Sequence, residues 1–288
     1  VKFQTFVPER LVSPSAEKAA YQRGTTGDGN KKEMLEKLAL PAGAWPRLKA
    51  HAERLGILFF STPFDEASAD LLIDLGVPTL KIGSGELTNH LLLSHVASAG
   101  VPLLLSTGMA TMEEVRVAMK TLREGGAKDI VLLQCVSVYP TSFEDANVRA
   151  MQTMGKEFGV LSGYSDNGSK GALVPLMSVA MGASVIEKHV TSKKERGSLD
   201  DVFSMSVEEF GAMVKKIRAI EKRADTKAAL AELQKEYGAD FDKALGDGIK
   251  RPAMHGTVVV HPGVKDPFVM READERQWAR RGVYLRAP

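Results

Sequence analysis

Seven short apolar segments alternate with amphipathic segments along the chain, and this alternation limits the possible folds more than any other feature. The apolar segments lie at residues 1–6, 56–64, 78–84, 102–108, 129–137, 158–166 and 184–191. They are nearly continuous in Val, Ile, Leu and Phe, which is typical of parallel strands covered on both faces. Strands that alternate with helices predict parallel βα units.

The amphipathic segments between these runs carry helix start and stop signals. Residues 65–76 begin at Asp65 and end at Gly76, which suits an N-cap and a C-terminal glycine. Thr111 is followed three residues later by Glu114, the pattern of a capping box. Apolar spacing predicts a further helix at about 206–222. A segment rich in Ala, Glu and Lys predicts another at 226–237.

Seven βα units are one fewer than a (β/α)8 barrel needs. The alternative is an open, doubly wound sheet, but no glycine-rich dinucleotide fingerprint follows any of the strands. We therefore predict an α/β fold, a TIM barrel over residues 1–237 whose first βα unit is missing from the chain. Hydrophobic periodicity is weak after the last predicted helix, which predicts a linker or arm at residues 238–277.

Composition excludes some partners. The 288 residues carry a net charge of +2, from 38 basic and 36 acidic side chains, which gives no reason to expect nucleic acid or a membrane surface. No apolar run approaches the length of a membrane helix. Cys135 is the single cysteine, so no internal disulfide can form. We interpret Cys135 as a small buried apolar residue and expect a cytoplasmic protein.

Charged and hydroxyl side chains recur near the C-terminal ends of the predicted strands, where barrel enzymes carry their chemistry. Helix capping accounts for some of the hydroxyls. It does not account for Lys2, Lys81 and Lys188, which lie inside apolar strands and must be paired, reach solvent or meet an anionic ligand. Lysines and hydroxyls that meet at one barrel mouth would suit a phosphate or carboxylate.

Six motifs, in order from residue 1 to about 222, resemble the N-acetylneuraminate (sialic acid) synthase family, which includes spore coat polysaccharide, legionaminate and pseudaminate synthases. The motifs are KFQTF, STPFDEASADLL, KIGSGELTN, LLLSTGMAT, GYSD and GASVIEKHVT. The resemblance implies a (β/α)8 barrel followed by a small antifreeze-like domain, and a domain-swapped homodimer. It implies that phosphoenolpyruvate condenses with an N-acetylated sugar such as N-acetylmannosamine, with a divalent metal (Mn²⁺ or Mg²⁺), for surface polysaccharide biosynthesis.

The resemblance also assigns roles to residues, motif by motif. Phosphoenolpyruvate would bind Lys2, Lys81, Ser84, Ser106, Ser137 and Ser165. The sugar would bind Gln4, Glu86, Tyr139 and Asp200. Catalysis would depend on Glu86, Lys81 and Lys2, and His189 of EKH would be a metal ligand.

Three departures from the family pattern affect these roles. The family usually reads GYSDH, and its final His is the second metal ligand, but this chain has Asn167 there. An amide oxygen binds hard cations but is a poorer ligand than imidazole for transition metals. The first strand and its Gly-x-Asn-His-x-Gly loop are absent from the sequence. RRGVYLRAP resembles the start of the antifreeze-like domain, to which we assign residues 278–288.

Two other functions stay open from the sequence. One is a Schiff-base aldolase on the same barrel, with Lys81 or Lys188 as the nucleophile. The other is a degenerate homologue that binds a sugar or phosphate without turnover. Asn167 and the missing first strand are the reasons for this second hypothesis.

Overall fold

The computed structural model describes residues 1–12, 29–192 and 200–252, apart from Val202 and Ala224, together with residues 16, 18, 23 and 27. The strands are β1 Lys2–Thr5, β2 Phe60–Pro63, β3 Leu80–Ile82, β4 Leu103–Ser106, β5 Ile130–Cys135, β6 Leu161–Asp166, β7 Ile186–Lys188, β8 Val190–Thr191 and β9 Met205–Ser206. The helices are α1 Pro8–Leu11, α2 Lys31–Leu38, α3 Ala44–Arg54, α4 Glu66–Asp74, α5 His90–Ala97, α6 Met112–Glu124, α7 Phe143–Ala146, α8 Arg149–Phe158, α9 Leu173–Ala180, α10 Val207–Glu221, α11 Thr226–Tyr237 and α12 Ala239–Leu245.

Strands β1 to β7 form one sheet in unbroken chain order, and β8 pairs separately with β9. The registers from β1 to β3 and from β5 to β7 are parallel. An unbroken order is that of a (β/α)8 barrel wall, whereas a doubly wound sheet reverses its order at a switch point. The α/β fold and the seven predicted strands are therefore confirmed. The TIM barrel with a missing first βα unit stays a prediction beyond these seven strands, and residues 278–288 lie outside the described residues.

Within this topology, the described chain divides into two compact units. The first contains Val1–Leu104 and Lys120–Asp129, and the second contains Leu105–Met119 and the described chain from Ile130 onwards. In the first unit, Leu72, Leu80 and Leu92 are fully buried. In the second, the core forms around β6 and helices α9 to α12.

The helices begin where the sequence signals predict. Asp65 accepts a hydrogen bond from the backbone N–H of Ser68 at the start of α4 (2.9 Å). The side chain of Thr111 bonds the backbone N–H of Glu114 (3.2 Å), and Glu114 bonds back to the N–H of Thr111 (2.6 Å). These contacts satisfy N–H groups that a helix leaves unpaired in its first turn, which explains why local sequence located the helix starts.

Packed structure continues past residue 237, where we placed the end of the barrel domain. Helix α12 contributes Phe241 and Ala244 to the core of the second unit. The backbone N–H of Val148 donates to the carbonyl of Ala244 (2.9 Å), and Asn147 Nδ2 donates to the carbonyl of Ile249 (2.9 Å). The predicted linker therefore starts with a helix. Its remainder from residue 253 lies outside the described residues.

No helix in the described ranges has both the length and the apolar character needed to cross a bilayer.

Candidate active site

The strands of the first unit have one face against helices and one face pointing away from them. Phe3 of β1 packs edge-on against Trp45 of α3, with ring centroids 6.4 Å apart. Because side chains alternate along a strand, Lys2 and Gln4 lie on the opposite face of β1. We call the face of each unit's strands that points away from the helices its inner face.

Thr62 and Lys81 join Lys2 and Gln4 on this inner face. Gln4 is in register with Thr62, and Ser61 is in register with Leu80, which places Lys81 beside Thr62. Lys81 is 3% exposed, and its Nζ donates to the carbonyl of Ile82 (3.0 Å). The hydroxyl of Thr62 is buried and has no hydrogen-bond partner in the described part of the chain. A buried hydroxyl without a partner is unfavourable, so a bound anion would satisfy it.

Glu86 and Ser84 follow β3 on a short 3-10 turn, Ser84–Glu86, at the C-terminal end of the strand. Glu86 is buried, and its Oε2 accepts a hydrogen bond from Asn89 Nδ2 (2.8 Å). The first unit thus brings Lys2, Gln4 and Lys81 to one face, with Ser84 and Glu86 just beyond the end of β3.

In the second unit, Ser165 lies on the inner face. Its neighbour Tyr164 points the other way, into the core with α9 and α10, where its hydroxyl donates to the carbonyl of Ala146 (2.7 Å). Ser165 is in register with Cys135 on one side and Glu187 on the other. Alternation therefore puts these three side chains on the face away from the helices.

Ser106 also lies on the inner face of the second unit. The hydroxyl of the next residue, Thr107, donates to the carbonyl of Leu133 (3.0 Å) and contacts Met154 of α8 (3.6 Å), so Thr107 faces the helices. Ser106 is 2% exposed, and its hydroxyl is buried without a hydrogen-bond partner among the described residues. Like the hydroxyl of Thr62, the hydroxyl of Ser106 could donate a hydrogen bond to a bound anion.

Lys188 does not lie on the inner face. Its Nζ lies 2.6 Å from Asp166 Oδ2, and the two side chains are 1% and 0% exposed. The same Asp166 oxygen accepts a hydrogen bond from the hydroxyl of Ser169 (2.7 Å). Of the three lysines inside apolar strands, Lys188 is therefore explained by an ion pair.

Tyr139, His189 and Asp200 are brought together beyond the ends of β5 and β7. His189 Nδ1 lies 3.4 Å from Asp200 Oδ2. The His189 ring lies edge-on to Phe203 (centroids 5.1 Å apart), and the Tyr139 ring lies 5.0 Å from Phe203. Sequence reasoning did not select Phe203. Its one signal was an aromatic residue in a charged loop.

Asn167 is buried, and its side-chain nitrogen is held by β5. Nδ2 donates to the carbonyl of Val136 (2.6 Å) and to Cys135 Sγ (3.2 Å). These two contacts fix the orientation of the Asn167 amide. Ser137, which we also selected, is buried just after β5.

A family profile described as the NeuB family matches residues 1–229. The chain belongs to the NeuB family. It is 46% identical to the N,N'-diacetyllegionaminic acid synthase of Legionella pneumophila over 88% of this chain and 66% of that protein. It is 39% identical to the enzyme of the same name from Campylobacter jejuni, over 87% of this chain and 70% of that protein.

Among solved structures, the N-acetylneuraminic acid synthetase of Leptospira borgpetersenii, in complex with citrate, matches with a TM-score of 0.66 and 28% identity. The match covers 83% of this chain and 81% of that chain. The chain spans about two thirds of the length of the two legionaminic acid synthases. Its membership of the NeuB family confirms the family predicted from the sequence.

The metal ligands expected in this NeuB-family chain are His189 and Asn167. The described residues contain no group of three or more His, Cys, Asp and Glu side chains that could hold a metal. The His189 imidazole lies beside the Asp200 carboxylate, and the Asn167 amide nitrogen is held by Cys135 and Val136. An imidazole with carboxylate and amide oxygens would suit a hard divalent cation such as Mg²⁺ or Mn²⁺ better than zinc, and a metal site at these residues stays a prediction.

Proposed function

We propose that this NeuB-family chain condenses phosphoenolpyruvate with an N-acetylated amino sugar to give a nonulosonic acid and phosphate. The observation that carries the proposal is the inner face of the first unit. Lys2 and Lys81 lie there around the buried hydroxyl of Thr62, which has no hydrogen-bond partner among the described residues. Cations and hydroxyl donors in an otherwise apolar wall are suited to the phosphate and carboxylate of phosphoenolpyruvate.

The acceptor sugar is proposed from the relatives. Two of them are named N,N'-diacetyllegionaminic acid synthases, at 46% and 39% identity. A product with two acetamido groups requires an acceptor that already carries both, because phosphoenolpyruvate contains no nitrogen. We therefore rank a diacetamido hexose above N-acetylmannosamine. Gln4, Tyr139 and Asp200 are the side chains proposed to hold it.

The reaction follows from these roles. Carbon 3 of phosphoenolpyruvate attacks the aldehyde carbon of the open-chain sugar, and the aldehyde oxygen takes up a proton. Carbon 2 becomes positively charged, and the Glu86 carboxylate stabilises that charge. Water adds to carbon 2 and loses a proton, leaving a hydroxyl there. The bond from carbon 2 to the phosphate oxygen then breaks as this hydroxyl becomes the ketone, and its proton passes to the departing phosphate. Lys2 and Lys81 neutralise the phosphate throughout, with Ser84 of the same unit as a hydrogen-bond donor. The family resemblance adds Ser106, Ser137 and Ser165 as further proposed donors.

A divalent cation held by His189 and Asn167 would supply Lewis-acid polarisation of the aldehyde. Because an amide replaces one imidazole, we expect weak Mn²⁺ binding that strengthens in Asn167→His. Calorimetric titration of Mn²⁺ tests this without an activity assay, and His189→Ala should abolish the binding. Saturation of the wild type at low micromolar Mn²⁺, with no gain in Asn167→His, would contradict the assignment.

A phosphate-release assay tests the function. We expect the wild type to release one phosphate per product with phosphoenolpyruvate and a diacetamido hexose, and Lys81→Met to lose phosphoenolpyruvate binding. Lys128→Met removes an exposed lysine from the same unit and is the matched control.

Binding of phosphoenolpyruvate without phosphate release would favour the degenerate homologue. A borohydride-stable adduct with a keto acid would favour the aldolase. The swapped homodimer and the cytoplasmic location remain predictions.

A further inference from the structure

Asn89 links the candidate catalytic carboxylate to the start of a helix. Its Oδ1 accepts a hydrogen bond from the backbone N–H of Leu92 in the first turn of α5 (3.2 Å), and its Nδ2 donates to Glu86 Oε2 (2.8 Å). An amide oxygen can only accept and an amide nitrogen can only donate. The helix N-terminus therefore fixes which end of Asn89 faces Glu86.

The backbone around Glu86 is also fixed. The N–H of Glu86 donates to the carbonyl of Gly83 (3.1 Å), and the N–H of Asn89 donates to the carbonyl of Glu86 (3.0 Å). With the turn closed at both ends, the remaining freedom of Glu86 lies in its side-chain torsions. The Asn89 amide restricts those torsions because it holds one carboxylate oxygen.

We propose that Asn89 is a positioning residue that sets the direction of the Glu86 carboxylate. This inference rests on the proposed function, in which that carboxylate stabilises the positive charge on carbon 2. An electrostatic stabiliser acts only if it is already oriented toward the place where charge develops. Asn89 is therefore needed for turnover and not for binding phosphoenolpyruvate, which the lysines and hydroxyls perform.

Asn89→Asp separates positioning from capping. Aspartate is as good an N-cap as asparagine, so the bond from Leu92 N–H is kept. The donor to Glu86 is replaced by a carboxylate, which repels it. Asn30→Asp is a matched control, because Asn30 caps α2 and its Nδ2 donates to Glu33 Oε1 (3.3 Å) at an exposed site in the same unit.

The test is steady-state phosphate release at saturating acceptor. We expect kcat of Asn89→Asp to fall roughly 10- to 100-fold, since a hydrogen bond to a charged group is lost. The KM for phosphoenolpyruvate should change less than about twofold, and Asn30→Asp should match the wild type. In a Glu86→Gln background, Asn89→Asp should cause no further loss, because the two residues act as one unit.

Two results would overturn the positioning role. One is a higher KM for phosphoenolpyruvate in Asn89→Asp with unchanged kcat. The other is a fall in kcat from Asn89→Asp that is as large in the Glu86→Gln background as in the wild type. If the wild type releases no phosphate, the proposed function fails instead, and crystal structures then decide the positioning. A Glu86 side chain with the same torsions in Asn89→Asp and the wild type would refute it, whereas a rotated carboxylate would support it.

Discussion

The buried ion pair between Lys188 and Asp166 predicts an asymmetric response to mutation. Nζ and Oδ2 lie 2.6 Å apart, and the side chains are 1% and 0% exposed. Asp166 also accepts from the hydroxyl and backbone N–H of Ser169 (2.7 and 2.9 Å). Lys188→Met removes the cation and leaves a buried carboxylate with Ser169 as its remaining donor in the described chain.

Breaking such a pair from one side costs about 3–5 kcal/mol, because a buried charge loses its counter-charge. For a chain of this size, each kcal/mol lowers the melting temperature by about 2–4 °C, so Lys188→Met should lower it by roughly 6–20 °C. Lys188→Met with Asp166→Asn buries no charge, and the amide oxygen of Asn can still accept from Ser169. The double variant should therefore be more stable than Lys188→Met alone.

Thermal and denaturant unfolding of the wild type, both single variants and the double variant test this expectation. Lys216→Met is the control, because Lys216 and Glu236 form a pair at 3.3 Å with side chains 55% and 53% exposed. An exposed pair contributes at most about 1 kcal/mol. If Lys188→Met costs no more than Lys216→Met, or if the double variant loses the sum of both single effects, the reasoning is wrong.

Two further predictions concern single hydroxyls. Thr62→Val should raise the KM for phosphoenolpyruvate by roughly tenfold, the loss of about one hydrogen bond, without lowering the melting temperature. An unchanged KM would remove Thr62 from the anion site. Burial raises the pKa of Tyr164 well above its usual value, so its contribution to stability is complete at neutral pH and is lost as pH rises above about 10. Tyr164→Phe should lower the free energy of unfolding by about 1 kcal/mol at pH 7, and this free energy should depend less on pH in alkaline solution than it does in the wild type. The same dependence on alkaline pH in both proteins would contradict this account.

Local signals predicted the elements of the fold well. The caps at Asp65 and Thr111 depend on residues three positions apart, and the structure shows both contacts. The predicted helices at 206–222 and 226–237 are observed at Val207–Glu221 and Thr226–Tyr237. Parallel strands were recognisable because covering both faces makes their sequences continuously apolar.

The same continuity hides which face each strand residue occupies. Lys81 and Lys188 look alike in sequence, as lysines inside apolar runs. Register and alternation place Lys81 beside Thr62 on the inner face and pair Lys188 with Asp166. Thr62 was missed for a related reason. A hydroxyl at a strand end is also an ordinary helix cap, and only its lack of a partner in the described structure shows that it does not cap.

At Asn167, one substitution should change both stability and the proposed metal binding. The amide nitrogen of Asn167 donates to the carbonyl of Val136 (2.6 Å) and to Cys135 Sγ (3.2 Å), and uses both of its hydrogens. A histidine that binds a metal through one ring nitrogen keeps at most one N–H, on the other ring nitrogen, so Asn167→His must give up at least one of these contacts when it acts as a ligand. The variant should therefore bind Mn²⁺ more tightly and lose about 1 kcal/mol of stability. Cys135, which the sequence suggested was only a small apolar residue, then contributes to positioning the amide oxygen.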